Sequence, residues 1–477
     1  MAVAEPQGFF DRTLTRLRGA WRDLAEVAAG AVSGAQLRPD LPREDLARVR
    51  AQMQDCLARK GGEVSARARA AALGRTYLEL NGEGRLRFLR LLADEFDTDG
   101  EAVREAAAAL LSAPDADARA SAEAALRQAL EPPRMRLLTQ FNALPNGTKF
   151  LVDLRAEVID LARENPVLKP LEADLRRLLA SWFDVGFLEL RQISWSAPAA
   201  LLEKLIAYEA VHQIRDWNDL KNRLDSDRRC FAFFHPRMPD EPLIFVEVAL
   251  MSGLADSIQK LLDEKAPVVD PATADTAIFY SISNAQRGLA GISFGDFLIK
   301  RVVDELSREV PRLRVFATLS PIPGFRAWLE TQIAADPDLL TAGEAAAVTE
   351  AAGEADTVEE PAASLGNLLR LALWHPADPA TEALRRPLMR LAAVYLSREK
   401  RSNGMALDPV AHFHLSNGAR IEQLDWLGDV SAKGIARSCG LMVNYLYRPD
   451  EIEANHESYR GERKVAMAPG FRSLVRG

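Results

Sequence analysis

The sequence predicts an α+β protein: an all-α helical bundle over residues 1–182, followed by a sheet-bearing domain over 183–477. Three observations carry this. Apolar residues recur at helical spacing with few interruptions from Phe9 to Trp182. Runs rich in β-branched and aromatic residues appear only later, at Cys230–His235, Leu243–Leu250, Ile278–Ser283 and Leu313–Thr318. All six histidines also lie in the second part, so acid–base chemistry is expected there.

In the first part Leu14, Leu17, Trp21 and Leu24 form one apolar stripe, and Leu151, Val158 and Leu161 form another. Breaks fall at Pro39 and Pro42, Gly61–Gly62, Gly82–Gly84, Pro132–Pro133 and Pro145–Gly147. No fixed period repeats, which argues against a solenoid. A bundle for packing or assembly is expected.

In the second part, a polar, proline-containing connection separates the runs 230–235 and 243–250, which predicts antiparallel neighbours. The run from Ile278 leads through a loop with Gly288, Gly291 and Gly295 into a helix over Phe294–Leu306. That helix is a crossover to the next strand. Strand, glycine loop and helix N-terminus together can hold a phosphate. The glycine spacing is that of neither a dinucleotide fold nor a P-loop, so the pattern alone also fits an ordinary turn. Thr341–Ser364 is acidic and alanine-rich, and a solvated, partly disordered insertion is expected, with a docked helix as the alternative. Helical signal returns over Leu365–Leu373 and Leu384–Tyr395.

At 477 residues the chain is long for one core. A net charge of −8 argues against a general nucleic-acid binder. Cys56, Cys230 and Cys439 are scattered, which fits a reducing compartment and neither a disulfide framework nor a thiolate zinc site. No apolar run approaches the ~20 residues that span a bilayer, and the N-terminus lacks a secretory apolar core. No membrane role and a cytoplasmic location are expected.

Three patches carry candidate chemistry. In Leu319–Phe325 (LSPIPGF), two prolines stiffen the backbone, so Ser320 is either held rigidly at a strand end or is a capping or turn serine. In Ala411–Ala419 (AHFHLSNGA), a strand would put His412 and His414 on one face. His-x-His is also a zinc fragment, but no third ligand sits at a motif spacing, with Asp425 and Asp429 the nearest acids. One acid–base histidine beside a structural one is the preferred reading, with no metal. Cys439–Tyr447 (CGLMVNYLY) reads as a buried segment in which the Tyr447 phenol finds a partner.

The run AIFYSISNAQRGLAGISFGDFLIKRVVDEL, then LSPIPGF, then DPVAHFHLSNGA through DWLGDVSAKGIARSCGLMVNYLY resembles the malonyl-CoA decarboxylase family. WFDVGFLELRQISW and YEAVHQIRDWNDLKNR upstream agree, so the resemblance is close from Trp182 to Tyr447. It implies a helical assembly domain followed by a catalytic domain of the N-acetyltransferase-like (GNAT) fold, and decarboxylation of malonyl-CoA to acetyl-CoA and CO2. The family's coenzyme A loop falls on Ala290, Gly291, Ile292, Ser293, Phe294, Gly295 and Asp296. Its catalytic serine matches Ser320, its catalytic histidine His414, and an active-site tyrosine Tyr447. At Ser293 the chain departs from the family, which often has an acid there. The resemblance further implies no separate cofactor, coenzyme A being part of the substrate, and a homotetramer built through the helical domain. Eukaryotic relatives can end in a peroxisomal tripeptide; SLVRG is not one, in keeping with a bacterial cytoplasmic enzyme. Two other readings stay open at this stage, a GNAT-type acyl-CoA-dependent acyltransferase and a non-enzymatic acyl-CoA-binding sensor.

Overall fold

The computed structural model describes Trp21 and residues 37–58, 63–292, 298–353 and 361–476. The chain divides into two compact units. The first comprises Met1–Glu189 with two later segments, Phe234–Leu243 and Gln286–Ser293; the second comprises Leu190–Phe233, Ile244–Ala285 and Phe294–Gly477.

Among the described residues the first unit holds α1 (Arg43–Leu57), α2 (Glu63–Glu79), α3 (Gly82–Asp94), α4 (Gly100–Leu111), α5 (Ala116–Ala129), α6 (Pro133–Asn142), α7 (Gly147–Leu161) and α8 (Lys169–Trp182). Pro39 and Pro42 precede α1, Pro132–Pro133 parts α5 from α6 and Pro145–Gly147 parts α6 from α7, as expected; Gly82–Gly84 instead open α3, and Gly61–Gly62 lie outside the described residues. Asn81, Asp99 and Asp115 accept from the first-turn N–H groups of α3, α4 and α5, and Pro133 occupies the first position of α6. Trp21, Tyr77, Phe88, Phe141 and Phe150 pack as an aromatic core.

Sequence reasoning places a single cut near residue 182, whereas two later segments join the helical unit. The cause is hydrogen bonding from the helices. Buried Arg155 on α7 donates to the carbonyls of Gly288 (2.7 Å) and Ala290 (2.9 Å). A Cβ on Gly288 would meet the Val152 carbonyl oxygen at 1.7 Å, so only glycine permits this contact. The second segment is tied by Arg237, which donates to the Asn142 carbonyl (3.1 Å), and by the His235 ring, 3.1 Å from the Trp182 carbonyl oxygen.

The sheet runs in the order β1 (Glu189–Ile193), β2 (Arg228–Phe234), β3 (Ile244–Met251), β4 (Thr276–Asn284), β5 (Val315–Thr318), β8 (Met442–Tyr447) and β6 (Ser320–Pro321), with β7 (Arg420–Asp425) also on β8. β2, β3 and β4 pair antiparallel, as expected from the connection between the first two. β4 and β5 are parallel and joined through α9 (Leu298–Glu309), the expected crossover. Its described part begins at Leu298, four residues later than the expected start. A bulge makes Tyr280 the extra residue of β4: Ser281 faces Glu247 and Phe279 faces Val248. Ile278, Tyr280, Ala317, Leu319 and Met442 pack in one cluster with Ile258 and Leu261 on one sheet face. Period-2 alternation turns Ser320, Val443, Tyr445 and Tyr447 to the other.

The second unit also holds α10 (Phe325–Ala335), α11 (Ala342–Ala351), α12 (Pro379–Arg398) and α13 (Pro409–Ser416). α11 corrects the expectation of a disordered insertion over 342–351. Thr341 and Glu344 form a capping box, and the Glu344 carboxylate, 1% exposed, receives the Arg390 guanidinium at 2.7–3.0 Å. Residues 354–360 of that stretch lie outside the described residues. No described helix is long and apolar enough to cross a membrane.

Candidate active site

β5 and β6 are one strand opened in the middle. Phe316 faces Tyr447 and Ala317 faces Leu446; beyond the gap Ser320 faces Val443 and Pro321 faces Met442, in unchanged register. Side chains fill the gap. Thr318 Oγ1 accepts the Tyr445 N–H (3.1 Å), while Asn444 Nδ2 donates to the Thr318 carbonyl (2.7 Å). Thr318 Oγ1 also accepts from the Ser320 hydroxyl at 2.8 Å. Ser320 is therefore a buried strand-end serine, and the capping reading fails: the residue at the N-cap of α10 is Gly324.

The His-x-His segment is helical, which corrects its conditional reading as a strand. Asp408 caps α13, accepting from the N–H groups of Val410 and Ala411 at 2.9 Å, and Pro409 takes the first helical position. The two imidazoles are consequently separated. His412 Nδ1 lies 2.9 Å from the Tyr459 hydroxyl. His414 enters the sheet face instead, with Nδ1 2.8 Å from the Tyr447 hydroxyl and Nε2 3.2 Å from Ser320 Oγ. Its ring stacks on Tyr445, centroids 4.5 Å apart. Structure thus brings Ser320, His414 and Tyr447 together, as their separate patches could not show.

Burial sets the protonation of this group. His414 is 3% exposed, and desolvation pushes its pKa down to about 3, so the imidazole is neutral. A neutral ring has one N–H. The Ser320 hydroxyl donates to Thr318, so Ser320 Oγ accepts from Nε2–H and Nδ1 accepts from the Tyr447 O–H. Polarity is uniform along the chain Tyr447, His414, Ser320, Thr318.

A second network ties the two motifs. Asp408 is fully buried and burial pushes its carboxyl upward. It accepts the Gly324 N–H at 3.5 Å and the Tyr395 hydroxyl, joining the LSPIPGF segment to the start of the histidine helix. Gly324 is required here: a Cβ would stand 2.2 Å from Tyr395 Oη. Sequence reasoning missed Thr318, Tyr395, Asp408 and Tyr445. Asp408-Pro409 was the available signal, being an N-cap followed by proline.

Of the seven loop positions implied for coenzyme A, Ala290, Gly291 and Ile292 are described and belong to the helical unit. Gly291 has φ +73°, which favours glycine. Ser293, Phe294, Gly295 and Asp296 lie outside the described residues. Among the described residues no group of three or more His, Cys, Asp or Glu side chains is placed to hold a metal ion.

A mixed sheet carrying a buried hydroxyl–imidazole–phenol chain is the layout of an enzyme that moves a proton out of contact with water. Comparison with known proteins makes this specific. The family model described as malonyl-CoA decarboxylase C-terminal domain matches residues 186–477, and the N-terminal domain model matches 96–183. A mitochondrial malonyl-CoA decarboxylase of Anser anser anser is 37% identical over 97% of this chain and 94% of its own length. One from Rattus norvegicus is 37% identical over 89% of this chain and 85% of its own length. The crystal structure of malonyl-CoA decarboxylase from Rhodopseudomonas palustris superposes with TM-score 0.80 and 43% identity, covering 90% of this chain and 99% of that one. The one from Agrobacterium vitis also gives 0.80, at 40% identity and the same coverage of both chains. The chain belongs to the malonyl-CoA decarboxylase family.

Proposed function

We propose that this chain converts malonyl-CoA to acetyl-CoA and CO2, and that Ser320, His414 and Tyr447 carry the reaction. The observation behind the assignment is the neutral His414 ring held between the Tyr447 hydroxyl and Ser320 Oγ. The C–C bond to the carboxylate breaks, CO2 leaves, and the electron pair passes into the thioester as an enolate. The thioester delocalises this charge itself, so the reaction calls on no further electron sink. With the acyl group bound, the Ser320 O–H turns from Thr318 to the thioester carbonyl, fixing the group and polarising that carbonyl. Nε2–H of His414 then goes to C2 while the Tyr447 proton moves to Nδ1, so the ring never carries a net negative charge; solvent returns the proton to Tyr447. The loop Ala290–Asp296 takes the coenzyme A pyrophosphate.

Self-association into a tetramer through the helical unit belongs to the same proposal. It is supported by α4, which buries none of its side chains within the chain and leaves Leu111 90% exposed. The cytoplasmic assignment draws on Cys56, Cys230 and Cys439, all free and buried.

The test is purified chain with malonyl-CoA in the presence of chelator, following acetyl-CoA and released CO2. Equal yields of both support the reading. Unchanged malonyl-CoA, or acetyl transfer to an added amine, overturns it.

A further inference from the structure

Of the three residues after Ser320, Pro321 and Pro323 carry no backbone N–H, which leaves that of Ile322. It donates to Ser438 Oγ at 3.1 Å, and both residues are at most 1% exposed. β6 is Ser320–Pro321 alone, and its proline gives the ladder to β8 no donor. The Ser438 hydroxyl supplies the next fixed point along the chain.

Ser438 ends α14 (Ala432–Ser438). Ser431 caps this helix, accepting the Gly434 N–H at 3.0 Å. Cys439 and Gly440 follow with φ of +50° and +73°, and these left-handed residues turn the chain into β8. The Leu441 N–H closes the turn on the Ser438 carbonyl at 3.0 Å. Directly beyond, Met442 pairs with Pro321 and Val443 with Ser320, and the same strand carries Tyr445 and Tyr447. Ser438 therefore joins the segment that holds Ser320 to the strand that holds Tyr447, at the end of their short pairing.

We infer that Ser438 is a positioning residue for the reaction: by holding the Ile322 peptide, its hydroxyl fixes Ser320 Oγ at its 3.2 Å distance from Nε2 of His414. This rests on the reading that Ser320, His414 and Tyr447 carry the reaction. A buried N–H is costly to leave unpaired. Without the Ser438 oxygen the Ile322 peptide turns to find another acceptor, and Ser320 moves with it on a proline-stiffened backbone. Misplacing a reacting group by about 1 Å slows the chemical step without removing any contact to the coenzyme A handle. The loss therefore falls on kcat.

The experiment measures kcat and KM on malonyl-CoA, coenzyme A affinity by calorimetry, and thermal midpoint. It uses the full chain and four variants: Ser438→Ala, Ser438→Cys, Ser320→Ala and Glu344→Gln. The last is the control for lost stability alone, because it loosens an ion pair to Arg390 and leaves the site intact. Ser438→Ala is expected to lower kcat by roughly 10- to 100-fold, with coenzyme A affinity little changed. Ser438→Cys keeps the shape but offers sulfur, a weak acceptor, so its kcat should lie between. Glu344→Gln should lower the midpoint and keep kcat. Wild-type kcat in Ser438→Ala, beside a crippled Ser320→Ala, overturns the inference. So does a fall in kcat no larger than that of Glu344→Gln, or one matched by an equal fall in coenzyme A affinity. If Ser438→Ala does not fold, Ser438→Cys decides: wild-type kcat overturns the inference, and a reduced kcat at kept affinity supports it. Near-wild-type turnover in Ser320→Ala overturns the functional reading itself, a separate outcome.

Discussion

The Tyr447 hydroxyl lies 2.8 Å from Nδ1 of His414, and both side chains are at most 3% exposed. Tyr447→Phe keeps the ring, and so its edge contact with Phe279, but strips Nδ1 of its donor. Losing a buried hydrogen bond of this kind costs about 1–3 kcal/mol, or roughly 5- to 150-fold in kcat. KM should move little. Steady-state kinetics on malonyl-CoA check this, and wild-type kcat in the variant would remove Tyr447 from the relay.

Ser320→Ala and His414→Asn should each lower turnover by on the order of 10²–10³ while coenzyme A binding is kept. Single-turnover kinetics beside calorimetry separate the two effects. A variant that turns over near the wild-type rate would clear that side chain of its role.

His414 also makes the fold acid-sensitive in a definite direction. Its folded pKa of about 3 lies below the ordinary 6.5, so between those values the unfolded chain binds the extra proton. Its contribution to stability therefore falls as pH drops from about 6.5 toward 3, at up to ~1.4 kcal/mol per pH unit. His212, pushed down to about 4 chiefly by burial, acts with the same sign. Acid unfolding followed by circular dichroism should show a lower midpoint for His414→Gln than for wild type. A higher midpoint would contradict the neutral, buried imidazole.

Gly324 and Tyr395 should be coupled. Gly324→Ala puts a methyl where Tyr395 Oη stands, at 2.2 Å, with an expected cost of about 1–3 kcal/mol. Tyr395→Phe removes that oxygen, so the double variant should lose less than the sum of the singles. Thermal midpoints of the four proteins measure the coupling, and strict additivity would refute it.

Glu344→Gln should loosen α11 without touching the chemistry. Replacing the carboxylate under the Arg390 fork is expected to cost about 1–3 kcal/mol. Limited proteolysis should then cut near residues 342–351 faster, with kcat within about two-fold. Unchanged cleavage would mean that the ion pair does not hold this helix down.

Much of this was legible in the chain because local patterns and tertiary demands agree. The four strand runs form β2 to β5, and the crossover helix follows its glycine loop. Ser320, His414 and Tyr447 could be named because each sits in its own motif, but their meeting depends on pairings 33 and 94 residues apart in sequence. The Tyr280 bulge has no local marker, since nothing in FYSI distinguishes an extra residue from an ordinary one. Arg155 reaches Gly288 across 133 residues, so the helical unit's hold on that loop is invisible to any window of sequence. The HFH segment was the avoidable error, because its helix is set by Asp408 and Pro409 just upstream.

The unchanged register on either side of Thr318 makes the spacing of this strand a coordinate system. Phe316 is opposite Tyr447 and Ser320 is opposite Val443, so the serine reaches His414 only because its offset from Phe316 along the strand, four positions, is even. Deleting or inserting one residue at Ala317–Leu319 would turn the hydroxyl toward Met442 and Tyr280 on the far face. Adding or removing two would restore the face but miss the imidazole by roughly 7 Å along the strand. The length of this stretch is therefore as much a part of the site as the Thr318 hydroxyl inside it.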